Sequence, residues 1–214
     1  GVGGMYVWLS QGLSSLARMG GQVNMAHSLG RGDQKAAAGF AQAALQLTIL
    51  FSLFVTLISI LFTNPLLQFF ALNDAETYNS ARIYMRITCG LILFSFLSQV
   101  LTGLFTAQGD SKTPLKANFF GLILNMILDP LLVLGVGPFP RLEVVGAAVA
   151  TVTAQIIVLL ILVTEILRDH GEANVLHKIR LLSRPDIACL KGVFRIGTPV
   201  SYTHLRAHET AANL

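Results

Sequence analysis

The chain has 214 residues, of which 53% are hydrophobic and only 12% charged, about half the charged fraction of a soluble domain. Its formal net charge of +4 comes from basic residues held in short clusters between long uncharged runs, a layout that suits a membrane protein better than a nucleic-acid-binding face. Two cysteines, Cys89 and Cys189, offer neither a disulfide framework nor metal-ligand spacing.

The chain opens as GVGGMYVWLS, with neither an initiating Met nor a charged leader region, and is expected to begin inside a helix. A bilayer crossing takes about 20 mostly apolar residues. The first run, residues 1–17, continues past Arg18 to about Leu29 and stops at the turn Gly30-Arg31-Gly32-Asp33. The second occupies residues 36–73, and a loop carrying Arg82 and Arg86 then leads to the third at 87–109. The turn Gln108-Gly109-Asp110-Ser111 echoes the earlier one: in each, Gly can take the left-handed conformation that ends a helix, and Asp can cap the next. A fourth run at 117–140 is interrupted only by Asp129, and a fifth lies at 144–164. The fold class is therefore all-α, a polytopic membrane bundle of five transmembrane helices.

Residues 1–168 form the membrane unit of this reading. Residues 169–199 read as a polar linker followed by an amphipathic, interfacial helix with Ile187, Leu190 and Phe194 on one side, introduced by Ser183 before Arg184-Pro185-Asp186. Residues 200–210 spell VSYTHLRAHET, which resembles one translated frame of a transposon-end adapter used in sequencing libraries. Residues 200–214 are thus expected to be non-native, and His204, His208 and Glu209 to form no metal site.

The positive-inside rule checks the topology. Arg31, Lys35, Lys112, Lys116, Arg168, Lys178, Arg180, Arg184, Lys191 and Arg195 fall on one side, against Arg82, Arg86 and Arg141 on the other. That split puts the turns near Gly32, Gly109 and Gly171 in the cytoplasm.

Helical periodicity gathers the polar residues into stripes: Gln11, Ser15, Arg18 and Gln22; Ser52, Thr56, Ser59 and Thr63; Ser95, Gln99, Thr102 and Thr106; Asn118, Asn125 and Asp129; Thr151 and Gln155. Five such stripes can all be hidden by facing a shared interior. Ser, Thr and Gln also serve as interhelical hydrogen-bond partners, and Gly146, Ala150 and Ala154, spaced four apart, read as a packing ridge. An acid is different. An ionised carboxylate at the bilayer centre costs about 2.5–3.5 kcal/mol or more, so Asp129 reads as a functional group able to exchange a proton or hold a metal ion. Asn125 supplies an amide oxygen one turn earlier, and Pro130, which has no N–H, leaves the Met126 carbonyl partly free. Oxygen donors of these kinds suit a hard cation.

The run GLFTAQGDSKTPLKANFFGLILNMILDPLLVLGVGPFPRLEVVGAAVAT, with the earlier SSLARMGGQVNMAHSLGRGDQ, resembles the multidrug and toxic compound extrusion family. The resemblance covers roughly residues 1–199. It implies a parent of twelve helices in two six-helix lobes, with this chain supplying helices two to six and the approach to helix seven. It also implies export of small cationic or amphipathic compounds across the plasma membrane by antiport against H⁺ or Na⁺, with no other cofactor and no enzymatic step. The family's N-lobe cation site carries over to Asn125 and Asp129, which would hold Na⁺ in a sodium-coupled member, with support near Gln99 and Thr151. Gln99 stands where relatives commonly have Asn. The implied partners are the lipid bilayer, the helix-one acid and the C-terminal lobe of the parent, so the fragment alone is expected to be inactive. Two other readings fit less well: a lipid-linked oligosaccharide flippase of the same wider superfamily, whose cationic cavity is poorly matched by Arg18 alone, and an integral-membrane lipid-phosphate enzyme, which calls for clustered acids or basic groups.

Overall fold

The computed structural model describes residues 2–69 and 75–212, so residues 70–73 of the second run lie outside the described residues. The helices are α1 (Val2–Gly30), α2 (Gln34–Phe69), α3 (Ala75–Gly90), α4 (Ile92–Ala107), α5 (Lys112–Leu134), α6 (Glu143–Arg168) and α7 (Ile187–Ala212), with a 3-10 turn at Val175–Lys178. No strand occurs among the described residues, and the all-α bundle stands as expected.

Gln34–Phe62, Lys112–Leu134 and Glu143–Arg168 are each long and apolar enough to cross a membrane, and Tyr78–Ile87 with Ile92–Ala107, bent by 42°, passes the same test when the pair is counted as one span. The remaining expected span is α1, a less apolar helix of 29 residues. It packs against α2, α4 and α7, and this shielding by protein lets it carry more Gly, Ser and Arg than a lipid-exposed helix could. The outward faces are apolar: Leu50, Leu53, Phe54 and Leu57 on α2, and Leu115, Phe119, Leu122 and Met126 on α5, are all more than half exposed. That is the reverse of a water-facing surface.

One expectation is corrected. Arg82 and Arg86 do not lie in a loop; they belong to α3, a helix of 16 residues packed against α2 and α6. Their charges depress its hydropathy, so a search for apolar runs passes over it. The bend follows Gly90, where Leu91 leaves the helical region at φ −111° and ψ 14°.

The two echoing turns have matching geometry. Gly32 (φ 75°) and Gly109 (φ 91°) are left-handed. Asp33 N–H donates to Ser28 O at 2.9 Å and Gly32 N–H to Leu29 O at 3.0 Å; Asp110 and Gly109 do the same to Phe105 and Thr106, each at 3.0 Å. Both close a Schellman motif. Each aspartate then caps the following helix: Asp33 Oδ1 accepts from Ala36 N–H at 3.0 Å, and Asp110 Oδ1 from Lys112 and Thr113 N–H at 3.1 and 3.0 Å.

α5 and α6 form the hairpin that matters for the site. Gly135 (φ 68°) and Gly137 (φ 73°) turn the chain, and Leu142 N–H returns to Leu132 O at 2.9 Å. Gly146, Ala150 and Ala154 are buried, as a packing ridge requires. A Cβ on Gly146 would sit 2.5 Å from Leu132 O, and one on Gly121 only 2.3 Å from a Val158 methyl. The two backbones therefore approach closely only because these positions have no side chain.

The helix α7 packs on α1 and α2. Cys189, Val193 and Gly197, spaced four apart, are buried, whereas Ile187 is 68% and Phe194 41% exposed. Gly197 and Gly20 make close approaches to the backbone of Leu16 and Val193, so small residues set this α1–α7 contact. Asn24 Nδ2 adds a bond to Gly192 O at 2.9 Å. The helix is capped by Asp186, whose Oδ1 accepts from Ala188 N–H at 2.9 Å, and not by Ser183. It continues through residues 200–212; the side chains of His204, His208 and Glu209, like that of Thr63, lie outside the described residues.

Candidate functional site

Asp129 and Asn125 lie one turn apart on α5, and the close α5–α6 crossing brings Thr151 of α6 beside them. In one orientation the Asn125 amide nitrogen reaches Thr151 Oγ1 at 3.4 Å. Turning the amide over satisfies both of its ends: nitrogen donates to Asp129 Oδ2 at 3.2 Å and oxygen accepts from Thr151 N–H at 3.2 Å. The other carboxylate oxygen, Asp129 Oδ1, is buried and has no hydrogen-bond partner. Leaving a buried acceptor unpaired costs about 1–3 kcal/mol, and more for a charged group.

α5 runs unbroken through Pro130, so the ring removes one backbone bond inside an otherwise regular helix. The site thus offers a carboxylate, an amide that can present either its oxygen or its nitrogen, and a threonine hydroxyl. Hard oxygen donors of this kind can hold a small cation, and the carboxylate can hold a proton. Among the described residues, no group of three or more His, Cys, Asp or Glu side chains lies close enough to bind a metal.

Gln99 takes another position. Its Oε1 accepts from Ser14 Oγ of α1 at 3.0 Å, so the hydrogen bond given to it joins α4 to α1 and does not reach Asp129. Ser10 and Ser14 are buried, while Gln11 is exposed. The sequence signal for Ser14 is the small-residue face formed by Ser10, Ser14, Ala17 and Gly21. Arg18 and Gln22 lie across Gly103 of α4, where a Cβ would be 2.8 Å from Arg18 Cγ and 3.1 Å from Gln22 Oε1.

The remaining polar stripes are largely interhelical or local bonds. Asn118 Nδ2 donates to Thr102 Oγ1 at 3.3 Å, Ser98 Oγ to Gln155 O at 3.3 Å and Thr56 Oγ1 to Cys89 O at 2.9 Å, joining α5 to α4, α4 to α6 and α2 to α3. Ser52, Thr102 and Thr106 donate to carbonyls of their own helices. Asp129, with its unpartnered oxygen, stands apart from these satisfied groups.

Comparison with known proteins supplies the family. The chain is 32% identical over 140 residues to the FAD transporter of Shewanella oneidensis, covering 65% of this chain and 31% of that protein. It is 29% identical over 158 residues to the probable multidrug resistance protein NorM of Thermotoga maritima, covering 73% and 34%. The chain thus spans about a third of the length of these curated relatives. Its fold superposes on an inward-facing multidrug resistance MATE family transporter of the MOP superfamily with a TM-score of 0.80 at 21% identity, over 93% of this chain and 44% of that one. The MatE family model matches residues 1–131, and with it the chain belongs to the MatE family, whose members are transporters and not enzymes.

Proposed function

We propose that the parent protein is a secondary active transporter that exports small cationic or amphipathic compounds across the plasma membrane in exchange for H⁺ or Na⁺. Asp129 is the coupling group in this reading, with Asn125 and Thr151 as its supporting ligands. Gln99, held by Ser14, stays outside the ion site. The observation that carries the reading is the unpartnered, buried Asp129 Oδ1 beside an amide able to serve as donor or acceptor. A proton or cation at that oxygen relieves a cost the protein otherwise bears, and its occupancy shifts the balance between outward-facing and inward-facing arrangements. The basic turns at Gly32 and Gly109 face the cytoplasm in this topology.

This chain contributes one portion of that machine, and transport is expected of the full-length parent. The test is accumulation of a fluorescent organic cation in cells producing the parent, with and without an ionophore that collapses the ion gradient. The parent should lower accumulation in a gradient-dependent way, and Asp129→Asn should abolish this while membrane levels stay unchanged. Gradient-dependent efflux retained by Asp129→Asn refutes the assignment.

A further inference from the structure

The segment joining α6 to α7 is anchored firmly. Val175 and Leu176 are buried in the helical core, and Asn174, also buried, donates to the carbonyls of Asp169 and Ile166 at 2.8 and 3.3 Å. Beyond them, glutamines on α2 fasten the chain as a strap. Lys178 Nζ donates to Gln34 Oε1 at 3.2 Å, Gln42 Nε2 to Ser183 Oγ at 2.5 Å, and Gln46 Nε2 to the carbonyls of Leu181 and Ser183 at 3.1 and 3.0 Å. The strap nonetheless holds its two leucines outward: Leu181 is 45% and Leu182 104% exposed.

The height of the strap on α2 indicates what covers them. Gln46 lies one turn before Leu50, where the exposed apolar face of α2 begins with Leu50, Leu53 and Phe54. Four residues of helix rise about 6 Å, so the strap leucines stand about one turn from that apolar face. Between strap and helix runs an open groove of about 990 Å³, lined by Ile49, Ile179, Arg180 and both leucines. Arg180 and Arg184 are exposed, and Asp186 is the only acid between Lys178 and Phe194.

We propose that this strap is a membrane-surface anchor that binds anionic phospholipid. An acyl chain lies in the groove over Ile49 and Ile179, Leu182 enters the bilayer, and the lipid phosphate meets Arg180 and Arg184. Continuity with the lipid-facing side of α2, together with the local excess of positive charge, selects lipid over a protein partner.

The test uses the 214-residue chain carrying Trp8→Phe and Leu182→Trp, reconstituted in nanodiscs of equal phosphatidylcholine and phosphatidylglycerol. Either one lipid or the other has brominated acyl chains. The introduced indole should be quenched by both, and more strongly by brominated phosphatidylglycerol. Arg180→Gln with Arg184→Gln should remove that preference, with local enrichment of the anionic lipid falling about fivefold per arginine. Arg180 joins the strap through backbone atoms, its N–H donating to Gln42 Oε1 at 3.4 Å and its carbonyl accepting from Ser183 Oγ at 2.8 Å, so these changes leave those bonds intact. Water-like emission unquenched by either lipid overturns the anchor. Equal quenching by the two lipids before the arginines are changed overturns the anionic preference.

Discussion

Gly146→Ala should separate α5 from α6 and loosen the Asp129 neighbourhood. The added Cβ would stand 2.5 Å from Leu132 O and 2.6 Å from Leu132 C, against 3.4 Å or more in ordinary contact. One helix must therefore move by almost an ångström, because the obstacle is backbone and no side chain can swing away. Replacing Gly by Ala in a helix interior contributes about 1 kcal/mol of stability, whereas overpacking costs about 1–3 kcal/mol. A backbone obstacle places the cost at the upper end, leaving a net loss of about 2 kcal/mol. At about 2–4 °C per kcal/mol for a chain of this size, the midpoint should fall by about 4–8 °C. Gly30→Ala is the control, since nothing lies within 4 Å of a Cβ there. Thermal unfolding of the detergent-solubilised chain, followed by circular dichroism, reads both. A Gly146→Ala midpoint equal to or above that of the unmodified chain would refute the close-approach reasoning.

Gly109→Ala places a side chain at φ 91° and should lower stability by about 1–2 kcal/mol in the same assay, although space around the position is open. At Asp110, partial burial pushes the carboxyl up, but hydrogen bonds from the Thr113 side chain and the Thr113 and Lys112 amides, with the charge of Lys116, outweigh it and hold the group below its usual 3.8. Its stabilising contribution is therefore present above the unfolded-state value and lost as pH falls through the lower folded-state value. Unfolding midpoints recorded between pH 5 and 3 should decline less steeply in Asp110→Asn. Asn174→Ala removes three side-chain bonds from a residue only 2% exposed, and should cost about 1–3 kcal/mol and make the segment after α6 the first cleaved in limited proteolysis. Unchanged proteolysis would show that this clamp is dispensable.

Features written in local chemistry were legible without coordinates. The Gly-Asp turns at residues 32–33 and 109–110 are encoded by a left-handed glycine and a capping carboxylate, and both form as read. Gly146, Ala150 and Ala154 announce a helix contact because small residues four apart have little other use in a membrane. Helix α3 was hidden because Arg82 and Arg86 break its apolar pattern, although charge does not prevent a helix from forming. The pairing of Gln99 with Ser14 was not legible, since periodicity fixes a residue's place on its own helix and not the rotation of one helix against another. The same limit applies to α7, where Val193 and Gly197 approach α1 and Cys189 lies beside Gly39 of α2, while the bulkier Ile187 stays exposed. The place of Thr151 beside Asn125 likewise depends on the α5–α6 crossing, and its expectation came through family resemblance.

The most direct test of the account is a transport measurement on the full-length parent reconstituted in proteoliposomes. A fluorescent organic cation is followed while a Na⁺ or H⁺ gradient is imposed in either direction, first on the parent and then on Asp129→Asn. Movement of the organic cation opposite to one imposed ion gradient, lost with Asp129→Asn while the purified variant stays folded, is the predicted result. Gradient-driven movement that survives Asp129→Asn would contradict it.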